Sequence, residues 1–354
     1  MKMTLVDLFE QSVKQFPNNT FLLEKTDKVF EPTTYIEVKN KVYQLGAGLQ
    51  ALGVKKGETM ALLSEGRNMW VIGELSMFYA GAINVPLSIK LEESNDLLFR
   101  LKHADVQYIM VSKQQLKKIR LIKDQLPLLK TIIVFDKIDN YEEKEIYVGD
   151  VMDNGKQFLA DHTLEEFLAV ANSIQNDDYA TITYTSGTTA DPKGVILTHR
   201  NYTANVEQAL TLVYIDQTWH TLIILPLDHC FAHVVGFYIM MSKGATAATV
   251  QVGRTPMETL KNIPLNIREV KPNFILSVPS LAKTFRKNIE QGIRAKGEKT
   301  VKLFNFALKT AQKYYGDNNT ESKGMRIFLK PLVALFDKIL FSKVRENFGG
   351  QLRF

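Results

Sequence analysis

The chain has 354 residues, 45% apolar and 23% charged, an ordinary globular composition with length for one large domain or two smaller ones with real cores. Cys230 is the single cysteine, which excludes an intramolecular disulfide and makes a reducing compartment the default. The net charge is +6 and uneven: from Lys283 to Arg345 fifteen Lys and Arg stand against five Asp and Glu.

The first sixteen residues read as an amphipathic helix without the apolar core of a signal peptide. Thr34 and Glu37 form a capping box for a helix ending near Gly53, followed by a buried strand at 58–64. Helix 67–80, strand 82–87, helix 94–104, strand 106–111 and strand 131–135 continue the alternation. Residues 136–163, with KIDNYEEKE and MDNGKQ, read as a polar, exposed excursion. Strand 179–185, a Gly- and Thr-rich loop, strand 194–198 and a helix from about His199 come next, then strands at 219–226 and 273–278. Residues 316–320 read as a loop. Beyond it Phe328, Leu332, Leu335, Phe336, Ile339 and Leu340 recur at helical spacing, with Pro331 placed where a helix start accepts it. Such alternation predicts an α/β fold of mainly parallel sheets flanked by helices, with ligands at the carboxyl ends of strands. Two windows, 70–89 and 221–241, are apolar enough to test as membrane spans. Glu74, the Gly81 break, Ile83 and Val85 in the first, and Asp228, His229 and His233 in the second, favour buried helix and strand, and a cytoplasmic chain.

Residues 183–200, TYTSGTTADPKGVILTHR, hold the densest chemistry. Thr185, Ser186, Thr188 and Thr189 supply hydroxyls, Gly187 and Gly194 admit close backbone approach, Asp191-Pro192 sets a turn and Lys193 adds a cation. The loop can cradle phosphate through N–H groups, hydroxyls and one ammonium. Its Pro-Lys-Gly order is not that of the Walker loop, whose lysine follows a glycine and precedes Ser or Thr. The bland alternative is a polar surface turn. In the segment LPLDHCFAHVVGFY (225–238), His229 and His233 are four apart. They could share a helix face and hold a metal, or one could be a packed, hydrogen-bonded histidine.

The loop closely resembles the signature of the adenylate-forming (AMP-binding) superfamily, with Ala190 where that motif carries a glycine. LPLDH resembles the family's LP-x-x-H motif, residues 32–49 its early Y-x-E-L helix, and YAGAINVPL (79–87) its Gly-Ala-x-x-x-Pro-Leu turn. The region up to DKILFSKVRENFGGQLRF looks like the long-chain fatty acid–CoA ligase branch, with a long-chain-type insertion at about 283–348. The resemblance implies an N-terminal AMP-binding region over 1–354 with its phosphate loop at 185–194. The family's later adenine, ribose and catalytic-lysine motifs, and its C-terminal lobe, do not appear before Phe354. It implies ATP-dependent activation of a long-chain fatty acid to acyl-adenylate and then acyl-CoA, with ATP, Mg2+ and CoA as cofactor and cosubstrates.

Carried over residue by residue, Thr185, Ser186, Gly187, Thr188, Thr189 and Lys193 would hold the β- and γ-phosphates, and Thr185 would approach magnesium. His229 and Lys193 would serve catalysis, while His229, Phe231, His233 and Gly236 would line the acyl side. The position of His233 is that of an aromatic gate in some fatty-acid members, a role a histidine puts in question. The expected partners are fatty acid, ATP and CoA, with no nucleic acid. The basic 283–345 region offers peripheral contact with an anionic membrane, against the ordinary reading of a solvated face. The rival function is a nucleotide-binding or interaction module without turnover.

Overall fold

The computed structural model describes residues 3–92, 96–185, 191–316 and 326–353, with backbone alone at 326 and 327. Helix α1 (Leu5–Gln15) leads into the hairpin β1 (Thr20–Lys25) and β2 (Phe30–Thr34), then α2 (Tyr35–Ala51). Strand β3 (Thr59–Leu63), α3 (Asn68–Tyr79), β4 (Ile83–Pro86), α4 (Leu98–His103), β5 (Tyr108–Val111), α5 (Lys113–Arg120) and β6 (Thr131–Val134) follow. Next come β7 (Glu145–Tyr147), α6 (Val148–Asp161), α7 (Leu164–Asn172), β8 (Tyr179–Thr185), β9 (Lys193–Thr198) and α8 (His199–Leu212). Strand β10 (His220–Ile223) precedes a π-helical turn (Ala232–Tyr238), α9 (Ile239–Ser242), β11 (Thr246–Thr249) and α10 (Pro256–Val270). The chain closes with α11 (Pro279–Arg294), α12 (Glu298–Tyr315), α13 (Arg326–Phe336), a second π-helical turn (Asp337–Phe341) and α14 (Ser342–Glu346).

Two sheets organise these elements. The larger runs β7-β6-β5-β3-β4-β8-β9 and is parallel except for the final β8–β9 pair; the smaller runs β10-β11-β1-β2. Side chains alternate across β3: Met60 and Leu62 join the core between the sheets, Ala61 and Leu63 the core on the outer face. The middle layer holds α3, which touches β1 of one sheet and β3 and β4 of the other, and is buried from Trp70 to Tyr79. That position explains why 70–89 is apolar all round: a helix walled on every side needs no polar face. Among the described residues no helix is long and apolar enough to cross a membrane.

The capping box at Thr34 and Glu37 forms as the sequence predicts, and similar boxes start α1 at Thr4, α7 at Thr163 and α8 at Thr198. Three expectations need correction. The polar stretch 136–163 is not an excursion, since it contains β7 and the fourteen-residue α6. Helix α6 packs an apolar stripe, Val148, Val151, Met152, Phe158 and Leu159, against the core between the sheets, and Gly155 and Gly48 let it cross α2 closely; the charged residues between the stripe positions make the stretch read as polar. A Cβ on Gly155 would lie 1.8 Å from the Gln44 carbonyl oxygen, and one on Gly48 would lie 2.1 Å from that of Val151. Segment 273–278 does not become a strand; among the described residues its one ladder contact is a parallel bridge between Thr221 and Phe274. Pro331 lies inside α13, not at its start. The expected loop at 316–320 begins at Gly316, and its other residues lie outside those described.

The glycine crossing yields a sharp test. Gly155→Ala forces a methyl into the Gln44 carbonyl, so urea denaturation should show a loss of about 1–3 kcal/mol, the cost of overpacking. Gly292, whose Cβ would meet nothing within 4 Å, is the control. Its replacement by Ala in helix α11 should be neutral or stabilising.

Candidate functional site

Strands β8 and β9 form an antiparallel hairpin in which Thr185 lies opposite Lys193. Directly opposed residues of such a pair project from the same face, so the last two paired side chains set a hydroxyl beside an ammonium at the open end. Both are exposed. The residues between them that the sequence singles out, Ser186, Gly187, Thr188 and Thr189, lie outside the described residues, as does Ala190. Lys193 opens β9 and does not precede it, one residue earlier than expected.

The base of the hairpin is fixed from both faces. Tyr184 packs against the outer core, and its hydroxyl lies 2.7 Å from His103 Nδ1 and donates to the Arg100 carbonyl at 3.2 Å. Burial pushes the Tyr184 phenol up to about 12, so it stays a neutral donor near pH 7. On the opposite face Thr181 is fully buried and its hydroxyl is 2.8 Å from the Tyr202 hydroxyl on α8. Burial also drives the Tyr202 phenol well up. Helix α8 is itself seated on α1: the Leu5 N–H donates to His199 Nδ1 at 3.3 Å, and burial lowers the imidazole to about 4.

The second segment begins where β10 ends. Leu227 is buried, with its Cδ1 4.0 Å from where a Cβ on Gly66 would stand, so it abuts the carboxyl end of β3. Asp228 is shielded and its carboxyl raised by burial, with Lys90 beyond β4 among the charges that oppose the rise. His229 and Phe231 are exposed, and His229 Nδ1 accepts from the Phe231 N–H at 3.3 Å. The backbone then enters the π-helical turn, where the Ile239 N–H reaches back five residues to the Val234 carbonyl.

His233 and Gly236 do not stand on the surface with His229 and Phe231. His233 is fully buried, with Nε2 2.6 Å from Glu74 Oε2 and 3.1 Å from the Tyr238 hydroxyl. A Cβ on Gly236 would meet Leu276 Cδ1 at 3.2 Å and Ile223 Cγ1 at 3.3 Å, so that glycine faces β10. The sequence expects His229, Phe231, His233 and Gly236 together on the acyl side; the structure exposes His229 and Phe231 and buries His233 and Gly236 behind them. Of the sequence's two readings of the histidines, the geometry realises the packed one for His233 and separates it from His229. Among the described residues no three His, Cys, Asp or Glu gather to hold a metal ion.

The two segments are linked through Tyr202. Its ring lies 5.3 Å from those of both His233 and Tyr238, while its hydroxyl holds Thr181 on β8, the strand that ends at Thr185. Sequence reasoning missed Glu74, Asn84 and Tyr202. The only available signal was a lone carboxylate inside an otherwise apolar helix, which has to find donors when buried. A separate polar cavity of about 310 Å³ opens where the carboxyl ends of β1, β3, β5, β6 and β11 converge, lined among others by Glu24, Glu65, Arg67, Ser112 and Asp136. The Arg67 guanidinium donates to both Asp136 oxygens there, at 2.9 and 3.0 Å.

A family model described as AMP-binding enzyme matches residues 9–332. The chain is similar to long chain acyl-CoA synthetase 3 of Arabidopsis thaliana, 27% identical over 365 residues that cover 98% of this chain and 51% of that protein. It is also similar to long-chain-fatty-acid–CoA ligase 5 of Rattus norvegicus, 25% identical over 371 residues that cover 99% and 50%. The chain thus spans about half the length of the curated relatives it matches. Among solved structures, a long-chain-fatty-acid–CoA ligase from Archaeoglobus fulgidus shares the fold with a TM-score of 0.68. Its identity is 21%, over 82% of this chain and 54% of that one.

The buried Thr181–Tyr202 bond makes a testable hinge between the segments. Thr181→Val leaves the Tyr202 hydroxyl without that partner and should cost about 1–3 kcal/mol in chemical denaturation. Adding Tyr202→Phe removes the orphan and should recover most of the loss, a non-additivity that a double-mutant cycle reads directly.

Proposed function

The chain belongs to the AMP-binding enzyme family, and on that premise we propose that it carries the nucleotide- and acyl-binding portion of an ATP-dependent long-chain fatty acid–CoA ligase. The observation that carries this reading is the hairpin end where Thr185 and Lys193 stand opposite one another, exposed, across the hydroxyl-rich connection. The names of the similar proteins support the acyl class, and the half-length match keeps the activity of the whole protein within the proposal.

In the proposed reaction a carboxylate oxygen attacks the α-phosphorus of ATP, the bond to the β-phosphate oxygen breaks and pyrophosphate leaves with the electron pair. The thiol of CoA then attacks the acyl carbonyl and displaces AMP. The first step brings two anions together, so positioning and positive charge dominate its catalysis. Lys193 supplies charge to the β- and γ-phosphates, while Thr185, Ser186, Thr188 and Thr189 supply hydroxyl donors and Gly187 close backbone approach. Thr185 fits magnesium only as one neutral oxygen added to a cation held by the nucleotide's own phosphates. His229 and Phe231 form the exposed wall for the carboxylate end of the acyl chain, and His233 and Gly236 support that wall from behind.

ATP binding by calorimetry tests the site. Lys193→Ala should weaken ATP or pyrophosphate binding about tenfold or more, the value of a charged hydrogen bond, with an unchanged melting curve. Unchanged affinity would make this lysine a solvated turn residue. The rival module without turnover is separated by fatty-acid-dependent exchange of pyrophosphate into ATP. We expect binding without exchange from the 354-residue chain alone, and exchange at a rate typical of ligases would overturn that.

The basic C-terminal helices support a peripheral membrane contact as part of the same proposal. On α12, Lys302, Phe306, Lys309 and Lys313 recur at helical spacing and are exposed, and on α13 and beyond Phe328, Leu335 and Ile339 are exposed with Lys338 beside them. Each lysine near an anionic surface contributes about 1 kcal/mol, screened by salt. Sedimentation with phosphatidylserine-containing vesicles should show binding that is lost at high salt and absent with phosphatidylcholine alone. No binding to the anionic vesicles at low salt would make the face merely solvated.

A further inference from the structure

We infer that Glu74, His233 and Tyr238 form a clamp that holds residues 232–238 in π-helical register and so sets the orientation of His229, Cys230 and Phe231. Glu74 is fully buried in α3 and takes three donors. Asn84 Nδ2 donates to Oε1 at 2.7 Å, the Tyr238 hydroxyl donates to Oε2 at 2.9 Å, and His233 Nε2 lies 2.6 Å from the same Oε2. Two ligands of one carboxylate oxygen therefore come from positions five apart on one helix. In an α-helix those positions point about 140° apart around the axis and cannot share an atom. A π-helical turn brings them to one side, and here their rings stack with centroids 4.9 Å apart.

The His233 ring is enclosed by Trp70, Tyr202, Phe237 and Tyr238, and among the described residues its Nδ1 has no hydrogen-bond partner. Loss of the Glu74 carboxylate would strand His233 Nε2, the Tyr238 hydroxyl and Asn84 Nδ2 in an apolar layer, and the turn would gain by relaxing to ordinary i→i+4 bonding. That relaxation would rotate the residues before it, because the His233 N–H bonds back to the His229 carbonyl at 3.1 Å. These are positioning residues: none of the three needs to touch a substrate. Their importance to the reaction rests on the proposed acyl-side role of His229 and Phe231, whereas the clamp itself does not.

Cys230, exposed and the only cysteine, is a reporter inside the segment. The experiment compares the rate of its reaction with dithionitrobenzoate in the 354-residue chain and its variants, each well below its melting midpoint. Glu74→Met should change that rate about threefold or more. Glu74→Gln should leave it unchanged, because the amide oxygen still accepts from His233 and Tyr238. Its NH2 donates to Asn84 Oδ1, a buried atom now without a partner, once the Asn84 amide turns over. A rate insensitive to both substitutions, or changed equally by both, overturns the clamp. Where Glu74→Met does not fold, Tyr238→Phe takes its place, and a rate unchanged from the parent is then the overturning result. A second arm measures calorimetric binding of palmitoyl-sulfamoyl-adenosine, a stable acyl-adenylate mimic. Weakening of about tenfold in the variant with altered labelling ties the clamp to the acyl site. If the unsubstituted chain does not bind this probe, the acyl-site reading fails while the labelling result still decides the clamp.

Discussion

A helix buried between two sheets is the constraint on which the rest of this structure depends. Helix α3 has β1 on one side and β3 and β4 on the other, so every residue from Trp70 to Tyr79 must be apolar or fully partnered. Ser76 meets that demand by donating to the Ile72 carbonyl at 2.6 Å, and the Tyr79 hydroxyl by bonding Glu10 on α1. Glu74 meets it with Asn84, His233 and Tyr238, which draws a distant segment into the middle layer. The one carboxylate of the central helix thereby organises the wall of the candidate site.

Close packing in that layer has a second consequence. Helix α2 must approach α3 and α6 without separating the sheets, and Gly46, Gly48 and Gly155 remove the side chains that would hold the backbones apart. Tyr35, at the start of α2, reaches through the same layer to the end of α9, its hydroxyl 2.9 Å from the Ala245 carbonyl. The early helix that the sequence marks by its capping box is thus also what fixes the turn into β11 of the smaller sheet.

The candidate segments sit at the carboxyl ends of strands, where backbone ladders end and loops are free to carry chemistry. What distinguishes them is how little freedom their supports have. Tyr184 and Thr181 hold the hairpin from opposite faces, and the π-helical turn is held by a buried carboxylate. The exposed residues Lys193, Thr185, His229 and Phe231 therefore project from supports that are themselves buried and hydrogen-bonded.

The sequence by itself determined what is local. Thr34 and Glu37 predict the start of α2 because a capping box is satisfied within one turn, and the alternation of short β-branched runs with helical spacing predicts the parallel sheet. The hydroxyls, turn formers and cation of 185–193 stand out for the same reason, being adjacent along the chain, and the phosphate-holding role proposed for them rests on that composition. Other features belonged to tertiary structure. Helix α6 carries an apolar stripe, Val148, Val151, Met152, Phe158 and Leu159, but only the fold shows that Gly155 meets the α2 backbone and so seats that stripe on the core. Segment 273–278 has strand composition but makes only one bridge, since a strand exists only where a neighbour supplies the ladder. The role of His233 was decided by a carboxylate 159 residues earlier in the chain. Periodicity shows that a polar group will be buried, and only the fold shows which donor reaches it.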